Sequence, residues 1–302
     1  MSAKKIFFGN YKGGVGKTTS TFNLAIRIAK TELENGRKAK VLVVDLDPQS
    51  SLSEVCLRHW KIKKRLDELG DETLNYVYDI YMQAQRLGNI KIRVDAKNII
   101  KQVNDFSLIP NSLFYKNGGL DKFIMEMGDD AKYLFVLWEF MEENRLDEQY
   151  DYILFDCPPS NNIITQSAFL YSDYYVIPTI MDALSTNGVR HYISVVENLY
   201  KKYCMDEDKA ENSDTAIFKL AFGDKPQLLG IFETMRTGTT NTDEHRTGLR
   251  ADGYHVFETE IKDAKEVSDN IGEGAKSYDP HYDDLTQELL TRIEQMEAAK
   301  NA

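Results

Sequence analysis

Cysteine is scarce in this chain. Its 302 residues hold three, Cys56, Cys157 and Cys204, with no C-x-x-C pair and no metal-ligand spacing to the five histidines, so the simple reading is a reduced, cytoplasmic protein. Long apolar runs are missing too. No stretch approaches the ~20 residues that span a bilayer, and the apolar run of MSAKKIFFGN is too short for a signal peptide. Positive charge is in deficit, with a formal net charge of −11, which argues against a protein coated in nucleic acid over its whole surface but leaves room for a local basic patch. Internal repeats and flexible linkers are absent. The length allows one large α/β domain or two small ones, and the apolar content of 42% supports a substantial core.

The short apolar run KIFFG ends in glycine and predicts a buried strand. Phe22, Ala25, Ile26, Ala29 and Leu33 then fall at helical spacing from Lys17 to about Asn35, with Gly36 as the stop. VLVVDLD, residues 41–47, is too short an apolar run for a helix and reads as the next strand. Strand, loop, helix, strand is a βαβ unit, which implies a parallel sheet. Further strands are predicted at FSLIP (106–110), YDYILFD (150–156), YYVIP (174–178), LLGIF (228–232) and HVFETEI (255–261). Residues 54–104 read as a helical insertion without a chemical motif, 201–215 as an exposed acidic insertion, and Leu285, Leu289, Ile293 and Met296 as one face of a C-terminal amphipathic helix. A single doubly wound α/β domain over 1–302, with a mostly parallel sheet and helices on both faces, is the expected architecture.

The chemistry concentrates in NYKGGVGKTT, residues 10–19. A phosphate-cradling loop reads G-x-x-x-x-G-K-[ST]. Gly16, Lys17 and Thr18 close that pattern, Tyr11 stands where its first glycine belongs, and Lys12 is an extra cation. Gly13, Gly14 and Gly16 let the backbone curl so that successive N–H groups face phosphate oxygens, and a helix beginning near Lys17 adds its positive end. Lys17 reaches the β- and γ-phosphates and the Thr18 hydroxyl is a Mg²⁺ ligand. Two acidic strand ends complete an NTPase site. Asp156 closes YDYILFD, and DLDPQ puts Asp45 and Asp47 beyond the second strand, where alternation aims both the same way. One carboxylate supports Mg²⁺ and the other orients the attacking water.

KGGVGKTT followed by VLVVDLDPQ, SLIPNS, YDYILFDCPPS and VIPT resembles the deviant-Walker P-loop ATPases, most closely the ParA-type plasmid and chromosome partition proteins. The resemblance implies ATP and Mg²⁺ as cofactors and a homodimer that forms with ATP. Lys12 matches the family's signature lysine, which crosses the dimer interface to the partner's nucleotide. Lys17, Thr18 and Thr19 match phosphate, metal and nucleotide contacts, with Val15 in the same loop. Asp47 matches the aspartate linked to the hydrolytic water, Asp45 its neighbour, and Asp156 the Walker B aspartate. Pro178 to Asp182, together with Met235 and Arg236, lie where the family approaches base and ribose. Two features depart from the family: Asn161 and Asn162 follow PPS where it has glycine, and Lys262–Asp263 stand where it has a prolyl-arginine pair.

Proteins of this resemblance bind DNA non-specifically as ATP dimers and release it after hydrolysis stimulated by a centromere-binding, ParB-like adaptor, a nucleoid-associated cycle in the cytoplasm. Candidate DNA contacts are Arg246, Arg250, Lys262, Lys265 and Lys276, although residues 256–302 carry twelve acids against five Lys or Arg. RHWKIKKR (58–65) is the densest basic cluster and reads first as a solvated helix face. No helix-turn-helix is expected ahead of the first strand, so sequence-specific operator binding is not expected. Two other classes stay in view. A membrane-associated regulator resembling MinD needs a basic amphipathic tail, and this tail is acidic on its polar face. A metabolic enzyme on the same scaffold needs a small-substrate pocket, or, for a reductase resembling the nitrogenase iron protein, paired cluster cysteines.

Overall fold

The structure is a computed structural model and describes residues 2–59, 64–88, 90–205, 213–237, 241–262 and 279–300. Its strands are β1 Lys4–Phe8, β2 Val41–Asp45, β3 Lys101–Val103, β4 Phe106–Ile109, β5 Tyr152–Asp156, β6 Tyr174–Thr179, β7 Gln227–Arg236 and β8 Val256–Lys262. The helices are α1 Lys17–Lys30, α2 Ser51–His59, α3 Leu74–Arg86, α4 Ala96–Ile99, α5 Gly119–Met127, α6 Phe135–Glu143, α7 Leu146–Gln149, α8 Ile163–Tyr171, α9 Ala183–Cys204, α10 Ser213–Phe222, α11 Asp243–Ala251 and, as labelled here, α12 His281–Lys300.

All eight strands join one sheet in the order β3-β4-β2-β5-β1-β6-β7-β8. Every pairing is parallel except β3 with β4. Both faces are covered, which is why β2 is buried at all five positions and reads as an unbroken apolar run. Alternate residues feed two cores. Phe7, Leu42, Val44, Ile153 and Phe155 pack under α3, α6 and α8, while Ile6, Phe8, Val41, Val43 and Leu154 pack with α1 and α12. The architecture is therefore a doubly wound, mostly parallel sheet with helices on both faces.

The details differ from the sequence reading in three places. First, α1 stops at Lys30 and not near Asn35, because Thr31 turns extended and a short hairpin follows, closed by a Glu32–Lys38 bridge around Gly36 at φ 76°. Leu33 still packs on the core, so it keeps an apolar position without being helical. Second, residues 54–104 carry α2, α3 and α4 but end in β3, a strand with one buried residue, Val103. Third, α9 runs to Cys204 and α10 begins at Ser213, while residues 206–212 of the acidic stretch lie outside the described residues. In α12, Leu285, Leu289 and Ile293 are buried, and Met296 packs against the same core.

Candidate nucleotide site

Parallel register sets the site at the carboxyl ends of the central strands. Phe8, the last residue of β1, pairs with Asp156, the last of β5, and Asp156 pairs with Asp45, the last of β2. The loop after β1 must then turn sharply. Gly9 touches the hydroxyl of Tyr192 so closely that a Cβ there would lie 1.9 Å from it. Gly14 and Gly16 take φ 69° and 73°, a region that favours glycine. Gly16 is also the N-cap of α1, with no side-chain cap and no acid in the first turn. The first N–H groups of α1 are thus left to an anion, with the helix dipole behind them.

Asn10 ties this loop together, a role the sequence reading missed. Its Nδ2 donates to the Pro178 carbonyl at 2.9 Å, and its Oδ1 accepts from the Lys12 N–H at 2.9 Å. Thr234 at the end of β7 braces the other side, donating from Oγ1 to the Val15 carbonyl at 3.0 Å. Lys17 is buried, and its Nζ lies 3.1 Å from both the Asn10 and Lys12 carbonyls. Burial pushes its ammonium down, opposed by Asp156 and Asp47. Gly13 and Gly14 are exposed on the rim, whereas Thr18 and Thr19 are partly covered.

The acids divide their labour in a way alternation does not predict. Asp45 is fully buried with both oxygens taken. Oδ1 accepts from the Asp47 N–H at 3.1 Å, and Oδ2 accepts from the Ser53 N–H at 2.9 Å and hydroxyl at 2.6 Å. Asp45, expected among the metal ligands, is instead an anchor for the turn into α2. Burial nevertheless pushes its carboxyl up to about 7. Asp47 lies beyond the strand and is partly exposed, and its backbone carbonyl accepts from Asn111. Asp156 is also fully buried. Its Oδ1 accepts from Thr21 at 3.2 Å and Thr18 bonds the same carboxylate, but Oδ2 has no partner. Burial, then the neighbouring Asp45, hold Asp156 well above the usual carboxylate range.

A fully buried carboxylate oxygen with no partner beside a threonine hydroxyl is a hard oxygen donor set short of a cation. It fits Mg²⁺, which needs one or two carboxylates and keeps its waters. It does not fit an all-protein metal cage, and no cluster of three His, Cys, Asp or Glu stands together among the described residues. All three cysteines are buried and free, and burial pushes the thiols up.

The remaining candidates scatter. The extra lysine is exposed but held: Lys12 Nζ sits 3.2 Å from Asp182 Oδ2 and 2.6 Å from Ser185 Oγ, at the start of α9. Met235 holds φ 55°, an uncommon conformation for a side-chain-bearing residue. Arg236 bonds Thr242 at 2.7 Å and pairs with Glu233 and Glu260. Arg246 must be corrected as a DNA contact. It is buried, pairs with Glu233 at 3.1 Å and donates to the carbonyls of Phe257 and Glu258; a guanidinium with these partners is spent on joining β7, α11 and β8. Arg250 pairs with Glu258 at 2.7 Å, and Lys262 is exposed at the end of β8. Lys265, Lys276 and residues 60–63 of the basic cluster lie outside the described residues.

Comparison with known proteins agrees with this geometry. A model of the AAA domain family matches residues 3–208. A virulence plasmid ParA family protein of Chlamydia psittaci is 28% identical over 199 residues, 65% of this chain and 65% of that protein. The match to a Mycobacterium tuberculosis relative takes in 53% of its length, so the chain spans about half to two thirds of the length of these curated relatives. Among solved structures, a putative plasmid partition protein from Borrelia burgdorferi bound to AMPPNP superposes with a TM-score of 0.67 at 22% identity, covering 97% of this chain and 99% of that one. Cobyrinic acid a,c-diamide synthase from Mycobacterium smegmatis, with an ATP analogue and magnesium, gives 0.65 at 20% identity over 97% and 96%. At such identities the structural likenesses speak for the fold alone. The family match covers most of the chain and starts at the strand that feeds the phosphate loop, and on that ground the chain belongs to the AAA domain family, in its ParA/MinD-like group.

Proposed function

We propose that this chain is an ATP-hydrolysing partition protein that dimerises with ATP, binds DNA non-specifically in that state, and lets go after hydrolysis stimulated by a ParB-like adaptor. The observation that carries the reading is the uncapped, glycine-led start of α1 facing a buried aspartate with one open oxygen. A polyphosphate supplies the anion for the first, and its metal the cation for the second.

The parts then have separate tasks. N–H groups of residues 13–19 hold the phosphate oxygens, and Lys17, already desolvated, gives up two carbonyls to bond the β- and γ-phosphates. Thr18 and Asp156 hold Mg²⁺, which when bound draws charge off the phosphates. Asp47, partly exposed and free of the anchoring role of Asp45, orients a water for in-line attack. The water oxygen bonds the γ-phosphorus, the bond to the bridging oxygen breaks, and ADP, phosphate and a proton leave. Pro178, Met235 and Arg236 line the approach for base and ribose.

Lys12 supports dimerisation. A facing lysine offsets part of the triphosphate's charge across a water-poor interface, and loss of the γ-phosphate weakens that attraction, so nucleotide state sets association state. Arg250 and Lys262 remain as described candidates for phosphate contacts, with Lys265 and Lys276 beside them in the sequence. The acidic exposed face of α12, including Asp283, Asp284 and Glu294, favours a cytoplasmic, nucleoid-associated protein over one held on anionic lipid, and no described helix is long and apolar enough to cross a membrane.

The test is a gel-shift on arbitrary duplex DNA with ATP, ADP and no nucleotide, beside sizing of the protein alone. Retention and a doubled mass with ATP only, both falling steeply with salt, are expected. ATP turnover by a monomer that ignores DNA overturns the partition reading and moves the chain toward small-molecule chemistry on the same scaffold.

A further inference from the structure

A second cavity lies away from the nucleotide site. It occupies about 420 Å³ between the second half of α3, residues 90–92 and α6. Tyr171, which bonds Glu142 in its wall, closes α8 just before β6 begins. The cavity therefore sits toward the amino ends of the strands, opposite the end that carries the phosphate loop.

Its lining has a consistent chemistry. Trp138 and Tyr81 supply aromatic surface, and Phe135 meets Trp138 edge-on at 6.1 Å and fixes its ring. Glu139, Glu142 and Glu143 supply three carboxylates against one lysine, Lys91. Two of the acids are engaged by phenols: Tyr81 donates to Glu143 at 2.6 Å and Tyr171 to Glu142 at 3.4 Å. Half-buried Glu139 makes no hydrogen bond or ion pair with any described residue. Burial, then Glu143, hold its carboxyl above the ordinary range. Lys91 forms no ion pair with a described residue, so it does not fill the role of counter-ion. A carboxylate without a donor, beside an aromatic face and the apolar side chains of Ile90 and Ile92, defines what is missing: a cation with N–H groups and an alkyl stem.

We propose that this cavity binds an alkylammonium or alkylguanidinium group, with its charge on Glu139 and the face of Trp138. Such a group comes from a free polyamine or from a lysine or arginine side chain of a peptide. The site stands independently of the proposed ATPase cycle.

The experiment uses the full chain carrying Trp60→Phe, so that emission reports Trp138, without nucleotide and at constant ionic strength. Spermidine and the blocked peptide acetyl-Ala-Arg-Ala-amide are titrated separately. A saturable change in emission from either probe is expected. Spermidine alone identifies the free polyamine as source, and the peptide alone identifies the side chain. Glu139→Gln should weaken binding by about tenfold, the scale of one charge-assisted hydrogen bond. Lys91→Ala, an exposed change that leaves the fold alone, should tighten it by removing a like charge that repels the ligand, and Asp284→Asn on α12 should change nothing. Absence of a saturable response to both probes overturns the proposal, as does a Glu139→Gln or Lys91→Ala protein that binds like its parent.

Discussion

Replacing Asp182 by asparagine separates two roles that one carboxylate now fills. Asp182 caps α9 by accepting from the Ser185 N–H at 2.7 Å, and asparagine caps a helix about equally well. Its other oxygen holds Lys12 at 3.2 Å, and asparagine has no charge to offer there. Burial alone would raise the Asp182 carboxyl, but the bonds from Ser185 and then Lys12 bring it below its ordinary value. The pair is open to water, with side chains 42% and 45% exposed, so its worth is that of a surface ion pair, about 0.2–1 kcal/mol. If Lys12 must leave Asp182 to reach a partner's nucleotide, each subunit gives up that energy, and a dimer gives it up twice. Asp182→Asn should therefore tighten ATP-dependent dimerisation by up to about 2 kcal/mol, or roughly 30-fold in Kd. Sedimentation velocity with ATP and Mg²⁺ over a concentration series reads this directly. The gain should shrink at 0.5 M salt, where an exposed pair is already screened. A variant whose dimer is unchanged or weaker at low salt refutes the reasoning, since Asp182 would then be neutral or needed in the dimer.

Other expectations follow from the same contacts. The carboxyl of Asp45 is held at about 7 in the fold against about 3.9 when unfolded; from pH 4 to 7 the unfolded chain ionises it while the fold keeps its proton, so metal-free stability falls as pH rises. Asp45→Asn should flatten that fall in thermal melts with EDTA, and parallel slopes would show that the acid does not titrate there. Gly9→Ala puts a Cβ 1.9 Å from the Tyr192 hydroxyl and 2.2 Å from Phe7 and should cost at least about 1–3 kcal/mol in urea unfolding, an unchanged midpoint meaning that the loop gives way freely. Arg246→Ala leaves buried Glu233 short of its nearest cation and should cost about 3–5 kcal/mol; normal stability with lost DNA retention would restore Arg246 to the DNA face.

What could be read beforehand was whatever the chain states contiguously. The phosphate loop is ten adjacent residues whose glycines answer a backbone demand, φ above zero at Gly14 and Gly16, and the central strands are runs buried on both faces. β3 was invisible because one buried valine in three residues makes no pattern, and the end of α1 was overrun because Leu33 keeps its apolar position by packing from a hairpin. The harder failures concern charge. Arg246, on α11, looked like a surface cation because its partner Glu233 lies on a different element, β7. Asp45 looked like a metal ligand because only folding brings Ser53 onto its Oδ2 and the Asp47 N–H onto its Oδ1. In each case the residue type was right and its availability was not, since a charge is free for function only where tertiary structure leaves it without a partner. The same criterion works in the other direction. Asp156 Oδ2 is a buried acceptor without a donor, a state that costs free energy unless something outside the chain completes it. There, the adjoining phosphate loop is the reason to propose a nucleotide's metal as the partner. The proposed organic-cation site uses the same criterion at half-buried Glu139, unpaired beside Trp138 in a cavity wall.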